Sequence, residues 1–208
     1  SSGKLSRLKA ALQNGLPEGT TGIGHTRWAT HGDPTDSNAH PHTDCRNEVV
    51  VVHNGIVENY LELRDELRDA GHSFTSETDS EIIVHLIEPY IRDGASLEDA
   101  TRMAAKRIKG AAAIVVAMAG DPRRIVGLRL GNAGGIVVGI GKTGMVMASD
   151  LLAVLPHTRT VAYLDSGEMA IITPESVSFH DLDGNLIEKT TFESDISADA
   201  AERGSFPH

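Results

Sequence analysis

The chain has 208 residues, of which 40% are apolar and 23% are charged, a balance typical of one globular domain with its own core. Its net charge of −10 argues against nucleic-acid binding and against a lysine-rich membrane surface, because both need positive charge facing phosphate groups. A single cysteine, Cys45, excludes an internal disulfide framework and favours the cytoplasm, and no apolar run is long enough to cross a bilayer.

The first half of the chain is predicted to contain two strands and then three helices. Residues 21–27 are expected to form a short strand that enters a polar loop. Val49–His53 is a β-branched run, apolar on both faces, and is expected to be a buried strand that ends in an Asn54-Gly55 turn. Ser96 begins a capping box before the third helix. Apolar residues at helical spacing predict these three helices near residues 60–70, 83–90 and 97–108.

After residue 110 the pattern changes to strands, and Asp183-Gly184 predicts a hairpin between the last two. Helices inserted between sets of antiparallel strands predict an α+β protein with two packed sheets. The polar stretch from Glu193 to His208 reads as a linker, so we expect the domain to occupy residues 1–192. The expected strands lie near residues 112–119, 125–130, 136–140, 145–148, 160–164, 168–172, 177–180 and 186–191.

Polar side chains with complementary chemistry concentrate in the first 80 residues. Arg27 offers a planar fork of donors that suits a carboxylate, and Asp79 offers an anion to an ammonium group. The Asn54 side-chain amide and the Gly55 backbone N–H form a pair able to stabilise an oxyanion. Together these groups indicate the binding of an amino acid whose side-chain carbonyl is attacked.

Several motifs occur in an order that resembles a known family. They are His25-Thr-Arg-Trp-Ala-Thr-His-Gly32, Asn38-Ala-His-Pro-His42, Val51-Val-His-Asn-Gly-Ile56, Ser76-Glu-Thr-Asp79 and Ala148-Ser-Asp150. Together they are similar to the glutaminase domain of glucosamine-6-phosphate synthase, an amidotransferase that takes nitrogen from glutamine. The similarity extends over nearly the whole chain, and the run of residues 25–32 is its most specific part.

The resemblance implies a fold and a set of site residues. The fold would be that of the N-terminal-nucleophile hydrolases, an α+β, four-layer α/β/β/α sandwich of two antiparallel sheets, here truncated at its N-terminus. Arg27 would bind the glutamine α-carboxylate, and Asp79 with the Gly55 backbone would hold the α-amino group. Asn54 and the Gly55 N–H would form the oxyanion hole. The glutamine-binding residues that the resemblance implies are Arg27, Trp28, Thr30, His31, Gly55 and Asp79.

The family's nucleophile is the thiol of the first residue of the mature chain, whose own α-amino group acts as the base. The sequence begins Ser1-Ser2-Gly3, which resembles the family only well after its opening. Cys45 lies in a variable loop and matches no catalytic position. We therefore expect residues 1–208 alone to be inactive as a glutaminase.

The resemblance also implies partners. These are L-glutamine as substrate, a C-terminal sugar-phosphate isomerase domain that binds fructose 6-phosphate, and a second copy of the chain in a full-length homodimer, with no cofactor. Two other functions stay open from the residues: a non-catalytic module that binds glutamine or docks on a partner, and the glutaminase of another amidotransferase, such as those of purine or asparagine synthesis. Trp28 and His31, with the motif from Asn38 to His42, favour the amino-sugar enzyme.

A metal site was weighed against the same residues. His25, His31, His40 and His42 are close in sequence, but their spacing matches no usual zinc pattern. Cys45 has no second cysteine to act with. The sequence therefore predicts no metal.

Overall fold

A computed structural model of the chain describes residues 5–15, 18–27 and 32–196. Its helices are α1 (Leu5–Ala11), α2 (Tyr60–Asp69), α3 (Glu81–Arg92), α4 (Leu97–Ala105) and α5 (Leu151–Val154), and a 3-10 turn follows α1 at Leu12–Asn14. Its strands are β1 (His42–Thr43), β2 (Val49–Val57), β3 (Gly110–Met118), β4 (Asp121–Leu130), β5 (Val137–Ile140), β6 (Met145–Ala148), β7 (Thr160–Tyr163), β8 (Glu168–Ile172), β9 (Val177–Asp181) and β10 (Phe192–Glu193). Within these described ranges, every helix lacks the combination of length and apolar character that a bilayer crossing requires.

The strands of the described part form two antiparallel sheets. The larger sheet has the order β1-β2-β3-β4-β8-β9, and the smaller has the order β10-β7-β5-β6. The longest pairing joins β2 to β3 without a break, from Val49 opposite Met118 to Val57 opposite Gly110. This pairing fixes the register of β2 in the larger sheet along its whole length.

Side-chain alternation along the strands gives each sheet two apolar faces. One face of the larger sheet, including Val51, packs against α2, α3 and α4 in the main core. Its other face, including Ala113, packs with Val138 of the smaller sheet in a second core. The outer face of the smaller sheet carries Val137, which packs with Val154 of α5. The predicted α+β four-layer sandwich is therefore confirmed, in the order helices, sheet, sheet, helix.

Two predictions near the site are wrong. Residues 21–27 form no strand, since no strand of the described part pairs with them. Asn54-Gly55 lies inside β2 rather than in a turn, because β3 supplies a pairing partner at every position, with Gly55 opposite Ala112. The turn preference of the dipeptide is local, whereas the pairing comes from residues far away in the chain.

The end of the domain also differs from the prediction. Residues 186–191 form no strand, and only Leu186 makes an isolated bridge, to His180. The Asp181 carboxylate accepts the N–H groups of Asp183 and Asn185, each at 2.9 Å, and so closes a turn of its own. The last strand is instead β10, which pairs with β7.

Helix α4 begins at the predicted cap, and this cap can be tested. Ser96 Oγ accepts the N–H of Asp99 at 3.1 Å. We expect Ser96→Ala to lower the free energy of unfolding by about 1 kcal/mol, because one N–H at the helix start loses its partner. Urea unfolding measures the loss. The exposed Ser73→Ala is the control and should change stability by less than about 0.5 kcal/mol; equal losses in the two variants would contradict the capping role.

Candidate functional site

One cavity of about 710 Å³ lies where the end of β2, the start of α3 and the end of β6 approach one another. Arg27, Asn54, Gly55 and Asp79 all line it. The fold thus brings together four residues that the sequence analysis assigned to one site. The remaining assigned residues lie outside the described residues and stay predictions: Trp28, Thr30 and His31.

At Gly55 the backbone of β3 approaches β2 closely. The φ of Gly55 is 147°, and a Cβ there would lie 2.1 Å from the carbonyl oxygen of Ala111 and 2.8 Å from Cα of Ala112. Only glycine fits this approach. The adjacent Asn54 has an exposed side chain, against which Gly134 packs closely, since a Cβ on Gly134 would lie 3.3 Å from Asn54 Nδ2. An amide side chain and a glycine N–H therefore sit side by side on the cavity wall.

Asp79 is a buried carboxylate at the base of the cavity, with 2% of its surface exposed. Its Oδ2 accepts the backbone N–H of Val57 at 2.8 Å, which joins the start of α3 to the end of β2. The loop before it is held by Glu81, whose carboxylate accepts hydrogen bonds from the backbones and hydroxyls of Thr75 and Ser76 at 2.6–2.9 Å. Burial opposes ionisation of Glu81, but these bonds and His85 lower its pKa to about 2.

Arg27 is positioned by backbone carbonyl groups. Its Nη1 donates to the carbonyl of Asp33 at 3.2 Å and its Nη2 to that of Gly32 at 3.0 Å. Asn38, 1% exposed, donates to the same Asp33 carbonyl and accepts the N–H of Glu77 at 2.9 Å. Asn38 therefore ties the loop that holds Arg27 to the loop before α3. In the sequence Asn38 is part of a motif with no evident role, and only the fold identifies its partners, Asp33 and Glu77.

Four imidazoles cluster beside Arg27, and three of them, His25, His40 and His53, line the cavity. The rings of His25 and His40 lie 4.4 Å apart, and those of His40 and His42 lie 4.8 Å apart. Burial, with a smaller contribution from the neighbouring imidazoles and Arg27, lowers the pKa of His40 to about 2. Burial also lowers the pKa of His53 to about 4, and the pKa values of His25 and His42 are lowered for the same main reason. At neutral pH these rings are uncharged, so Arg27 supplies the positive charge of this wall.

His53 is a site residue that the sequence analysis missed. It is 3% exposed, and its Nδ1 lies 2.8 Å from the hydroxyl of Ser80 at the start of α3. Its Nε2 is buried and makes no hydrogen bond to any described residue. This nitrogen faces Gly55, since a Cβ on Gly55 would lie 2.9 Å from it. Its place beside Asn54 in the motif was the only available signal.

Cys45 lies elsewhere. It follows β1, and its Sγ lies 3.7 Å from His85 Nδ1 and 3.9 Å from His72 Nδ1. The cavity lining in the described part of the chain does not include Cys45.

The fold defines a class of protein, an N-terminal-nucleophile amidotransferase sandwich, and Arg27, Asn54, Gly55 and Asp79 line one of its cavities. A solved relative is the glutamine phosphoribosylpyrophosphate amidotransferase of B. subtilis, with a TM-score of 0.63, 25% identity, and coverage of 78% of this chain and 35% of that one. The chain belongs to the glutamine amidotransferase domain family, which matches residues 12–181.

The sequence relatives narrow the comparison. The chain is 49% identical over 207 residues to the glutamine–fructose-6-phosphate aminotransferase (isomerizing) of Methanothermobacter thermautotrophicus, covering 100% of this chain and 35% of that protein. It is 44% identical over 206 residues to the enzyme of the same name from Aquifex aeolicus, covering 99% of this chain and 34% of that protein. The chain therefore spans about a third of the length of these relatives, and the predicted resemblance is confirmed.

The buried neutral histidines predict a pH dependence of stability. The pKa of His53 is lowered to about 4 in the fold, so protons bind the unfolded chain first as the pH falls below about 6.5. The contribution of neutral His53 to the stability of the fold is complete above pH 6.5 and is lost as the pH falls towards 4. As the pH falls from 6.5 to 4, the free energy of unfolding should decrease in both proteins. We expect the decrease to be about 2–3 kcal/mol smaller in His53→Asn than in the wild type.

Urea unfolding at a series of pH values measures this difference. The exposed His157→Asn is the control and should keep the wild-type dependence. Parallel curves for wild type and His53→Asn would contradict the assignment.

Proposed function

We propose that this domain hydrolyses the side-chain amide of L-glutamine and supplies the ammonia to an amidotransferase that makes glucosamine 6-phosphate from fructose 6-phosphate. The observation that carries the proposal is the meeting of Arg27, Asn54, Gly55 and Asp79 around one cavity in a glutamine amidotransferase domain. The names of the two relatives, both fructose-6-phosphate aminotransferases, support the sugar phosphate as the nitrogen acceptor.

Opposite charges on the cavity wall orient the amino acid. The guanidinium of Arg27 receives the α-carboxylate, because its planar fork matches two carboxylate oxygens. The Asp79 carboxylate receives the α-ammonium group while Val57 donates to one of its oxygens. Because the neighbouring imidazoles are neutral, they do not compete with Arg27 for the α-carboxylate or with the α-ammonium group for Asp79. Trp28, Thr30 and His31 complete this pocket in our proposal.

With both charged ends held, the side-chain amide of glutamine reaches Asn54 and Gly55. A thiolate forms a bond to the amide carbon, and the carbonyl electrons move onto oxygen. Asn54 Nδ2 and the Gly55 N–H donate to that oxyanion, a donor of this kind contributing about 3–4 kcal/mol to the transition state. The C–N bond then breaks, ammonia leaves with the proton taken from the thiol, and water hydrolyses the thioester to glutamate.

The two roles predict different kinetic effects in the complete protein. Asn54→Ala should lower kcat by about 10²–10³-fold with little change in KM, because the oxyanion exists only during reaction. Arg27→Ala should mainly raise KM, by about 10–100-fold, since the carboxylate contact exists before and during the reaction.

Steady-state ammonia release measures both effects. The exposed Asn185→Ala and Arg92→Ala are matched controls outside the cavity and should behave as wild type. A change confined to KM in Asn54→Ala would refute the oxyanion role.

The source of the thiol gives a further prediction. Because Cys45 does not line the cavity, we propose that it is not the nucleophile and that residues 1–208 by themselves do not hydrolyse glutamine. A polypeptide of these residues, incubated with glutamine, should release ammonia at the spontaneous background rate. Ammonia release above that rate, if lost in Cys45→Ala, would make Cys45 the nucleophile.

We further propose that the domain occupies residues 1–192 and that residues 193–208 begin a linker to a sugar-phosphate isomerase domain that binds fructose 6-phosphate. β10 ends at Glu193, and the guanidinium of Arg159 donates to the carbonyls of Ser194 and Ile196, so in the described part of the chain contacts with the sandwich reach a few residues past this boundary. In this proposal the full-length enzyme is a homodimer in the cytoplasm.

A further inference from the structure

Four side chains with metal-binding atoms meet away from the glutamine cavity. Cys45 lies in the turn between β1 and β2, His72 follows α2, and His85 and Glu88 lie on α3. Cys45 Sγ, the two imidazoles and one carboxylate oxygen of Glu88 all lie within 4.8 Å of one another. These residues come from three separate segments, so the cluster is a product of the fold and not of local sequence.

Local hydrogen bonds hold His72 and the turn that carries Cys45 in place. Gly71, with φ of 92°, ends α2: its N–H donates to the Arg68 carbonyl, and the N–H of His72 donates to that of Leu67, the two bonds of a Schellman cap. The Asp44 carboxylate accepts the N–H groups of Glu48 and Val49 and thereby fixes the turn that carries Cys45.

The helix positions complete the arrangement. His85 and Glu88 are three residues apart and therefore share one face of α3. The ring of Phe74 packs edge-on to that of His85 at 4.6 Å and fixes its orientation.

Four of the six distances between these atoms are close to the edges of a zinc tetrahedron, and the other two are at most 4.8 Å. Zinc bonds of about 2.3 Å to sulfur and about 2.0–2.1 Å to nitrogen and oxygen give edges of about 3.3–3.6 Å. Cys45 Sγ lies 3.7 Å from His85 Nδ1 and 3.9 Å from His72 Nδ1. Glu88 Oε2 lies 3.0 Å from His72 Nδ1 and 3.2 Å from His85 Nδ1. We propose that Cys45, His72, His85 and Glu88 bind one Zn²⁺ ion in a tetrahedral structural site.

The surroundings of His85 support this assignment. The residue is 1% exposed, and its Nε2 lies 3.7 Å from Glu81 Oε1. When Nδ1 binds a metal, the ring proton is on Nε2 and points towards the Glu81 carboxylate. A carboxylate behind a ligating histidine is the usual outer shell of a zinc site, because it fixes the tautomer and makes the ligand more basic.

The charge balance also suits a divalent cation. A Cys45 thiolate and a Glu88 carboxylate carry two negative charges, which Zn²⁺ neutralises. Without a cation, partial burial and the nearby Glu88 carboxylate raise the pKa of the Cys45 thiol, although the Ser73 backbone acts in the opposite direction. Metal binding reverses this preference, since a coordinated thiol loses its proton. Four protein ligands leave no open position, so this zinc would be structural and not catalytic.

This inference departs from the sequence expectation of no metal. That expectation required a second cysteine or a short zinc spacing, whereas the ligands here are 27, 13 and 3 residues apart and include a glutamate. The metal-free alternative is a set of hydrogen bonds and ion pairs in which His85 lies between the Glu81 and Glu88 carboxylates and Glu88 also faces His72. Metal content and coordination geometry distinguish the two.

The test uses the full chain, prepared without metal-affinity chromatography and dialysed in metal-free buffer. We expect about one tightly held zinc per chain by mass spectrometry, and a higher Tm with zinc than after removal by a chelator. Reloading with Co²⁺ should give the intense visible bands of tetrahedral cobalt and a thiolate-to-cobalt charge-transfer band. Cys45→Ser should abolish that charge-transfer band, and His72→Gln should weaken zinc binding at least about 10-fold.

The exposed His157→Gln, outside the cluster, is the control and should keep zinc, the cobalt spectrum and the Tm of the wild type. The cobalt spectrum is measured on the wild-type protein, so the test remains decisive even if a variant folds poorly. Absence of retained zinc, or a weak six-coordinate cobalt spectrum that is the same in Cys45→Ser, would overturn the proposal. Because glutamine hydrolysis is measured separately, failure here leaves the proposed function unaffected.

Discussion

The site depends on how one buried carboxylate is held. Asp79 is 2% exposed, and burial of an anion is costly unless its oxygens receive hydrogen bonds. Its bond to the Val57 N–H ties the segment just before α3 to the end of β2, and residues of both line the cavity. Three side chains hold the loop before Asp79. Glu81 accepts the N–H of Ser76, and Asn38 accepts the N–H of Glu77. Arg64 donates to the carbonyls of Ser76 and Thr78. These hydrogen bonds offset the conformational entropy that is lost when the loop is ordered.

Strand β2 shows how one element serves both the core and the site. Its first residues alternate between the helix layer and the second sheet, and Val49 and Val51 are almost completely buried. Asn54 and Gly55 continue the same strand, where the absence of a Cβ lets the β3 backbone approach closely. Because the pairing with β3 is continuous, the sheet fixes the positions of Asn54 and Gly55. In the proposed function, placing these two groups on a strand rather than on a loop gives the preorganisation that transition-state stabilisation needs.

The sequence predicted what depends on local pattern and on motifs. Helical spacing and the Ser96 cap located three helices, and the motifs brought Arg27, Asn54 and Asp79 into one hypothesis that the cavity supports. Features set by distant residues were missed. Asn54-Gly55 favours a turn locally, but its pairing partner lies more than 50 residues away along the chain. The clamp made by Asn38 and the cluster around Cys45 depend in the same way on which segments the fold brings together.

Helix α3 connects the cavity lined by Arg27 and Asp79 with the proposed zinc site. Asp79 precedes its first turn, and Glu88 lies nine residues later, about 14 Å along the helix axis. Glu81 stands between them: its carboxylate faces His85 Nε2 on one side and holds the Thr75–Ser76 backbone on the other. A metal on His85 Nδ1 keeps a proton on Nε2, which stabilises the Glu81 anion and thereby the loop that positions Asp79. The metal would then act on glutamine binding through the order of this loop, while contacting neither the substrate nor the thiol.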